Sequence, residues 1–298
     1  MKSRIKSFIL SLATSLLLAA CGTSNTVPIT GRKQNLLVSD DQVMSLSLQQ
    51  YQQYMQQAQV STNATNTAMV KRVGQRLASS VETYLADNGL QEDLKNYAWE
   101  FNLVQDQQVN AWCMPGGKIV VYEGLLPVTQ DEASLAVVLG HEIAHAVAKH
   151  SAERLSNAYK QQYAMQIGSS VLSSAGVSAD WMQLGSLAAS LGSQLWTSGF
   201  SRKQESEADH MGLIFAAMAG YDPQSAVSFW QRMSQATGGG NYSLLSDHPS
   251  DEQRIEQIQG WMPEALKYYK PTGSTSKKGS TSSTPTPKTN KTLHISNK

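Results

Sequence analysis

Residues 127–145, PVTQDEASLAVVLGHEIAH, decide the fold. Thr129 and Glu132 have the spacing of a capping box after Pro127, and Leu135, Val138, Leu139 and Ile143 continue an apolar helical face from that start. The segment ends in His141-Glu142-Ile143-Ala144-His145, an H-E-x-x-H match. At about 100° per residue, side chains four apart lie roughly 40° from each other on one helix face, so two imidazoles can reach one ion. Zinc is the expected cofactor, one ion per chain, because neutral imidazole suits it and catalytic sites use three protein ligands. Glu142 falls on the flank of that face, where this motif places a general base.

A third ligand has to come from another helix. Glu205-Ser206-Glu207-Ala208-Asp209 supplies an acid with a second acid four residues later on the same face. Glu205 is the candidate ligand, and Asp209 the candidate acceptor for the remote ring nitrogen of a ligand histidine. Glu207 lies about 200° from Glu205 around the helix and reads as a solvated surface charge. His150 and His210 read as structural, each lying at least about 140° from the metal-facing residue of its helix.

Outward from these two helices, a helix from Asp40 or Asp41 to about Gln59 presents a glutamine-rich, solvent-facing side. Val70, Val73, Leu77 and Val81 mark a core helix by their spacing of three and four. Strand patterns are few: Ala98 to Val104 and Lys118 to Tyr122, separated by a stretch containing Pro115-Gly116-Gly117. From Ser156 to Gly199, small residues with scattered Leu, Met and Trp permit close-packed helices without clear boundaries. A helix over about Lys203 to Ala219 stops at Gly220, and Asp222-Pro223 starts the next. The expected class is α+β, mainly helical, with a small β-sheet beside the H-E-x-x-H helix.

The 298 residues allow one large domain or two modest ones. Lys2, Arg4 and Lys6 precede an apolar run from Phe8 to Ala20 that is too short to span a bilayer, the order of a secretory signal. It ends in Leu18-Ala19-Ala20-Cys21, which resembles the bacterial lipobox and implies lipid attachment at Cys21, hence a membrane partner reached through a lipid anchor. Gly22 follows without the aspartate that favours inner-membrane retention, so the outer membrane, facing the periplasm, is the expected address. Pro271 to Lys298 is rich in Ser, Thr, Lys and Pro and is expected to be disordered. The expected divisions are 1–20 signal, 21–40 extended tether, 41–270 catalytic domain and 271–298 tail. Five of the 24 basic residues lie in that tail and three in the signal, so the body is acidic and nucleic acid is excluded as a partner. Cys113 has no disulfide partner if Cys21 is acylated, and reads as a small, partly buried side chain.

Several further stretches fit one pattern: Asn110-Ala111 with Pro115-Gly116-Gly117, the H-E-x-x-H helix, Ser201-Arg202 ahead of Glu205 and Asp209, and Asp247-His248-Pro249 followed by Arg254-Ile255. Over residues 110–255 the chain resembles the M48 family of zinc metallopeptidases. The resemblance implies a zincin-like fold of the gluzincin type, Glu205 as third ligand, and a strand near Asn110 to Lys118 that pairs with an extended substrate, beginning at Asn110 and Ala111. His248 has two open roles: oxyanion donor, or, as resemblance to outer-membrane members implies, an occupant of the fourth zinc position that keeps the enzyme latent. Unlike the membrane-spanning members, this chain has no internal run of 18 apolar residues, and the 28 residues expected to be disordered stand where the outer-membrane quality-control member carries a helical-repeat domain. The implied activity is peptide hydrolysis in unfolded or misassembled envelope proteins. A chaperone-like binding or assembly factor with latent proteolysis is the alternative. A zinc hydrolase acting on a non-peptide bond is disfavoured by the resemblance.

Overall fold

The computed structural model of the chain describes residues 23–169, 181–192, 194–197, 200–236 and 252–271. Cys21, His248, Gly238 to Gly240 and the tail with His294 lie outside the described residues. The elements run β1 (Thr23–Thr26), β2 (Lys33–Leu36), α1 (Asp40–Gln57), α2 (Ala64–Asp87), α3 (Gln91–Leu94), β3 (Glu100–Val104), β4 (Ala111–Met114), β5 (Lys118–Tyr122), α4 (Leu126–Thr129), α5 (Glu132–Val147), α6 (His150–Ser169), α7 (Trp181–Leu191), α8 (Gln194–Thr197), α9 (Arg202–Met218), α10 (Ser225–Ala236) and α11 (Glu252–Tyr268). A mainly helical α+β domain with small sheets results, the zincin-like class expected from the sequence.

The main sheet has the order β3-β5-β4, with β3 parallel and β4 antiparallel to β5. Its side chains alternate between two cores with the period of two that a pleated strand imposes. Phe101, Leu103, Ala111, Cys113, Ile119 and Val121 join the larger core with α2, α5, α9 and α10. Val104, Trp112, Met114, Val120 and Tyr122 join a smaller one with α1, α6, α7 and α8. β4 is an edge strand, and Tyr122 N donates to Asn110 O at its start. Between β4 and β5, Gly117 turns with φ +76°, and a Cβ there would stand 2.4 Å from the Trp99 ring. Glycine is required on both counts.

The α2 prediction holds: Val70, Val73, Leu77 and Val81 are fully buried. Two local expectations do not. The cap of α5 is Asp131, whose side chain accepts from Ser134 N at 2.7 Å. Thr129 instead closes α4 and donates to Leu126 O. Asp131 is also a preferred N-cap residue, and the two-residue offset decides which one takes the free N–H groups. The stretch read as an extended tether holds the β1–β2 hairpin, with Val27 and Leu36 buried. Pro28 and Gly31 turn this hairpin, a use of turn residues that linkers share.

Helix α5 is buried almost all round, from Ser134 to His145, as a central core helix must be. It crosses α9 where Gly140 faces Gly212. A Cβ on Gly212 would lie 2.6 Å from His141 N, and one on Gly140 would lie 2.7 Å from Gly212 O. Backbone therefore rests on backbone at this crossing, immediately beside the first histidine of the motif.

Candidate metal centre

Phase along α5 sets His141 and His145 on the side facing α9, and the same four-residue spacing on α9 presents Glu205 and Asp209 to them. His141 Nε2 and His145 Nε2 are 3.0 Å apart. Glu205 Oε2 is 3.4 Å from His141 Nε2, and Oε1 is 3.5 Å from His145 Nε2. The edges of a zinc tetrahedron with bonds of 2.0–2.1 Å measure about 3.4 Å. The three ligand-type atoms thus already stand at coordination separations, all buried. Two nitrogens and one carboxylate are the donor chemistry zinc takes in catalytic sites, so the residues fit the metal.

Charge points the same way. Burial disfavours a protonated His141, yet the hydrogen bond to Asp209, the charge of Asp209 and the contact with Glu205 raise it to about 9. The pocket calls for a positive charge, which a proton or a metal ion can supply. His141 Nδ1 is 2.8 Å from Asp209 Oδ1, the supporting contact expected for a ligand histidine. Burial would raise the Asp209 carboxyl, but the Arg254 charge and the bond from His141 hold it below its ordinary range. Arg254 Nη2 donates to Asp209 Oδ1 at 2.6 Å, and its guanidinium lies 3.5 Å over the Trp230 ring. Arg254 enters the sequence reading only as part of the resemblance, and its sequence distance from Asp209 leaves no local signal for this contact.

Glu142 is buried between α5 and the sheet. Burial, with the charge of Glu142 adding, pushes the Cys113 thiol of β4 well up, so Cys113 is a neutral buried group. Ala111 begins β4 and Asn110 directly precedes it, both buried, with Asn110 Oδ1 accepting from Ala111 N. Phe200, just before α9, stacks on the His145 ring at 4.1 Å.

Two residues set aside in the sequence belong to this centre. Glu207 does point away from the metal ligands, but that face is covered rather than solvated, and Glu207 is buried. Burial would raise its carboxyl, yet hydrogen bonds from His150, Thr30 and Arg32 bring it down to about 2. His150 is fully buried, and its Nδ1 lies 2.8 Å from His145 Nδ1. The helical angle fails for His150 because α5 ends at Val147, and Lys149 turns the chain with φ +53°. Lys149 is held there by ion pairs to Asp40 and Asp93 at 2.8 and 2.9 Å. Burial lowers the His150 imidazole despite the Glu207 carboxylate beside it. His210 is structural, as read: it bonds Glu264 and stacks on Trp261.

An H-E-x-x-H helix, an acid from a second helix and an edge strand alongside define a zincin-like metallopeptidase domain. A model of Peptidase family M48 matches residues 64–262, two thirds of the chain, and the protein belongs to that family. Among its relatives, the mitochondrial metalloendopeptidase OMA1 of Schizosaccharomyces pombe is 35% identical over 244 residues, covering 80% of this chain and 66% of the relative. Metalloprotease LoiP of Escherichia coli is 26% identical over 267 residues, covering 87% and 97%. The beta-barrel assembly-enhancing protease of Yersinia pestis is 27% identical over 246 residues, covering 78% and 46%. The chain spans between 35% and 66% of the length of the first three OMA1 relatives that it matches.

Proposed function

We propose that this protein is a zinc metalloendopeptidase of the bacterial envelope that hydrolyses peptide bonds in misfolded or misassembled envelope proteins. The observation that carries the reading is the convergence of His141, His145 and Glu205 at coordination separations beside buried Glu142. His141, His145 and Glu205 would hold zinc, which when bound would supply a Lewis acid for the scissile carbonyl and for water. The chain's own residues do the rest. Glu142 takes a proton from the attacking water and passes it to the departing amine. Asp209, backed by Arg254, holds His141 in the ligand orientation. The edge strand from Asn110 and Ala111 pairs with an extended substrate segment through its backbone. His248 assists the oxyanion or covers the metal.

The substrate class is supported by the name of the Yersinia relative, a protease that enhances β-barrel assembly. Lipid attachment at Cys21, the first residue after the signal, would set the domain on the outer membrane facing the periplasm. Among the described residues no helix is long and apolar enough to cross a membrane.

Incubation of the purified protein with an unfolded protein substrate tests the reading. Cleavage is expected, lost on addition of a zinc chelator and recovered when zinc is returned. Cleavage indifferent to the chelator, or none in the zinc-loaded protein, overturns it. Rescue of a deletion strain by the Glu142→Gln variant would instead make binding rather than cleavage the main activity.

A further inference from the structure

The face of α9 turned away from the metal ligands leads back to one of them through hydrogen bonds. Thr30 and Arg32, in and beside the turn between β1 and β2, donate to the two oxygens of Glu207 at 2.5 and 2.7 Å. Arg32 also grips Glu153 of α6 through both terminal nitrogens, at 2.7 and 2.9 Å. Glu207 Oε2 lies 3.0 Å from His150 Nε2, and His150 Nδ1 lies 2.8 Å from His145 Nδ1. His150 is fully buried, and Glu207 and His145 are nearly so.

For a neutral His150, proton placement along these hydrogen bonds has one consistent solution. A carboxylate that already receives Thr30 and Arg32 only accepts, so His150 carries its proton on Nε2. The lone pair of neutral His150 is then on Nδ1, which accepts from His145 Nδ1–H. That leaves the His145 lone pair on Nε2, the atom facing His141 Nε2 and Glu205. The opposite tautomer of His150 would set a lone pair against a carboxylate at 3.0 Å in a buried site, a desolvated repulsion with no partner to relieve it.

We infer that His150, Glu207 and Arg32 are positioning residues that fix His145 as an Nε2 donor, so that the N-terminal hairpin is a working part of the metal centre. This rests on the zinc reading above. His141 reaches the same tautomer by a separate route, through Asp209, so each ligand histidine is oriented from its own side. The ordering of the hairpin and the affinity for the metal are thereby coupled: displacing residues 30–32 removes the donors that hold the Glu207 carboxylate in place against His150.

The test compares the zinc affinity of the full chain with that of His150→Phe, His150→Asn and Arg32→Met, by competition with a chelating dye, together with the thermal midpoint of each zinc-stripped protein. His150→Phe keeps a ring and loses both nitrogens; zinc binding is expected to weaken about 10- to 100-fold. His150→Asn places an amide oxygen near the lost Nδ1 and is expected to recover most of that. Arg32→Met is expected to move affinity in the same direction by a smaller factor. Parental affinity in a folded His150→Phe protein overturns the inference, as do equal losses in the Phe and Asn variants. Should the Phe variant not fold, nitrogen NMR of the zinc-loaded parent decides. A coupling between the two Nδ1 atoms with the proton on His145 is expected, and a proton on His150 Nδ1 overturns the assignment. A parent that binds no zinc removes the metal reading itself, an outcome distinct from the variant results.

Discussion

Glu142→Gln is expected to keep the full zinc content and lose about 10²- to 10⁴-fold in peptide turnover, the usual contribution of a positioned general base. The amide has the size of the acid and fits the same buried position beside Cys113, so the packing of α5 against the sheet is preserved. What it loses is the capacity to take up a proton. Zinc retention follows because the three ligand-type atoms belong to His141, His145 and Glu205. Metal content measured beside turnover checks both halves. Undiminished cleavage by a zinc-loaded variant would remove Glu142 from its assigned role.

Gly212→Ala sets two physical effects of opposite sign against each other. In a helix interior, replacing glycine by alanine stabilises by about 0.5–1 kcal/mol through backbone entropy alone. At the crossing of α5 and α9, however, the added carbon would stand 2.6 Å from His141 N and 2.7 Å from Gly140 C. Both are backbone atoms, so no side chain can swing aside and the helices must part. Overpacking of this kind costs about 1–3 kcal/mol, which exceeds the propensity gain. A lower melting temperature is expected, with zinc affinity reduced at least tenfold, since Glu205 and Asp209 withdraw together with α9. Gly185→Ala in α7 is the control: nothing lies within 4 Å of its added carbon, so the propensity term acts alone and the melting temperature should rise by up to a few degrees. Equal shifts in the two variants would show that the crossing tolerates separation and that the glycine contact does not set the site.

The shared face of His141 and His145 was legible because its geometry is local. One helix converts a spacing of four into a shared face, and the same rule paired Glu205 with Asp209. The core face of α2 was legible for the same reason. The helical angle failed at His150, where three residues after Val147 include a left-handed turn that no periodicity foretells. For Glu207 the angle is right and the solvated face is not: the far side of α9 does face away from the metal site, but hairpin residues 175 and 177 positions earlier in the chain cover it. Arg254 is also remote from Asp209, 45 residues away in sequence, and packing against Trp230 accompanies the delivery of its guanidinium there.

The sequence by itself determined the chemistry: two imidazoles and a glutamate phased on one helix, an acid pair phased on another, and the apolar faces that bury both. Spacing within a helix carries that information, because backbone geometry turns it directly into direction. Only the tertiary structure decided how close the two helices come, which carboxylate and which arginine stand behind each imidazole, and that residues 30–32 reach the centre at all. These depend on contacts between residues far apart in the chain, where a missing side chain at Gly140 and Gly212 permits the approach and burial makes each hydrogen bond obligatory.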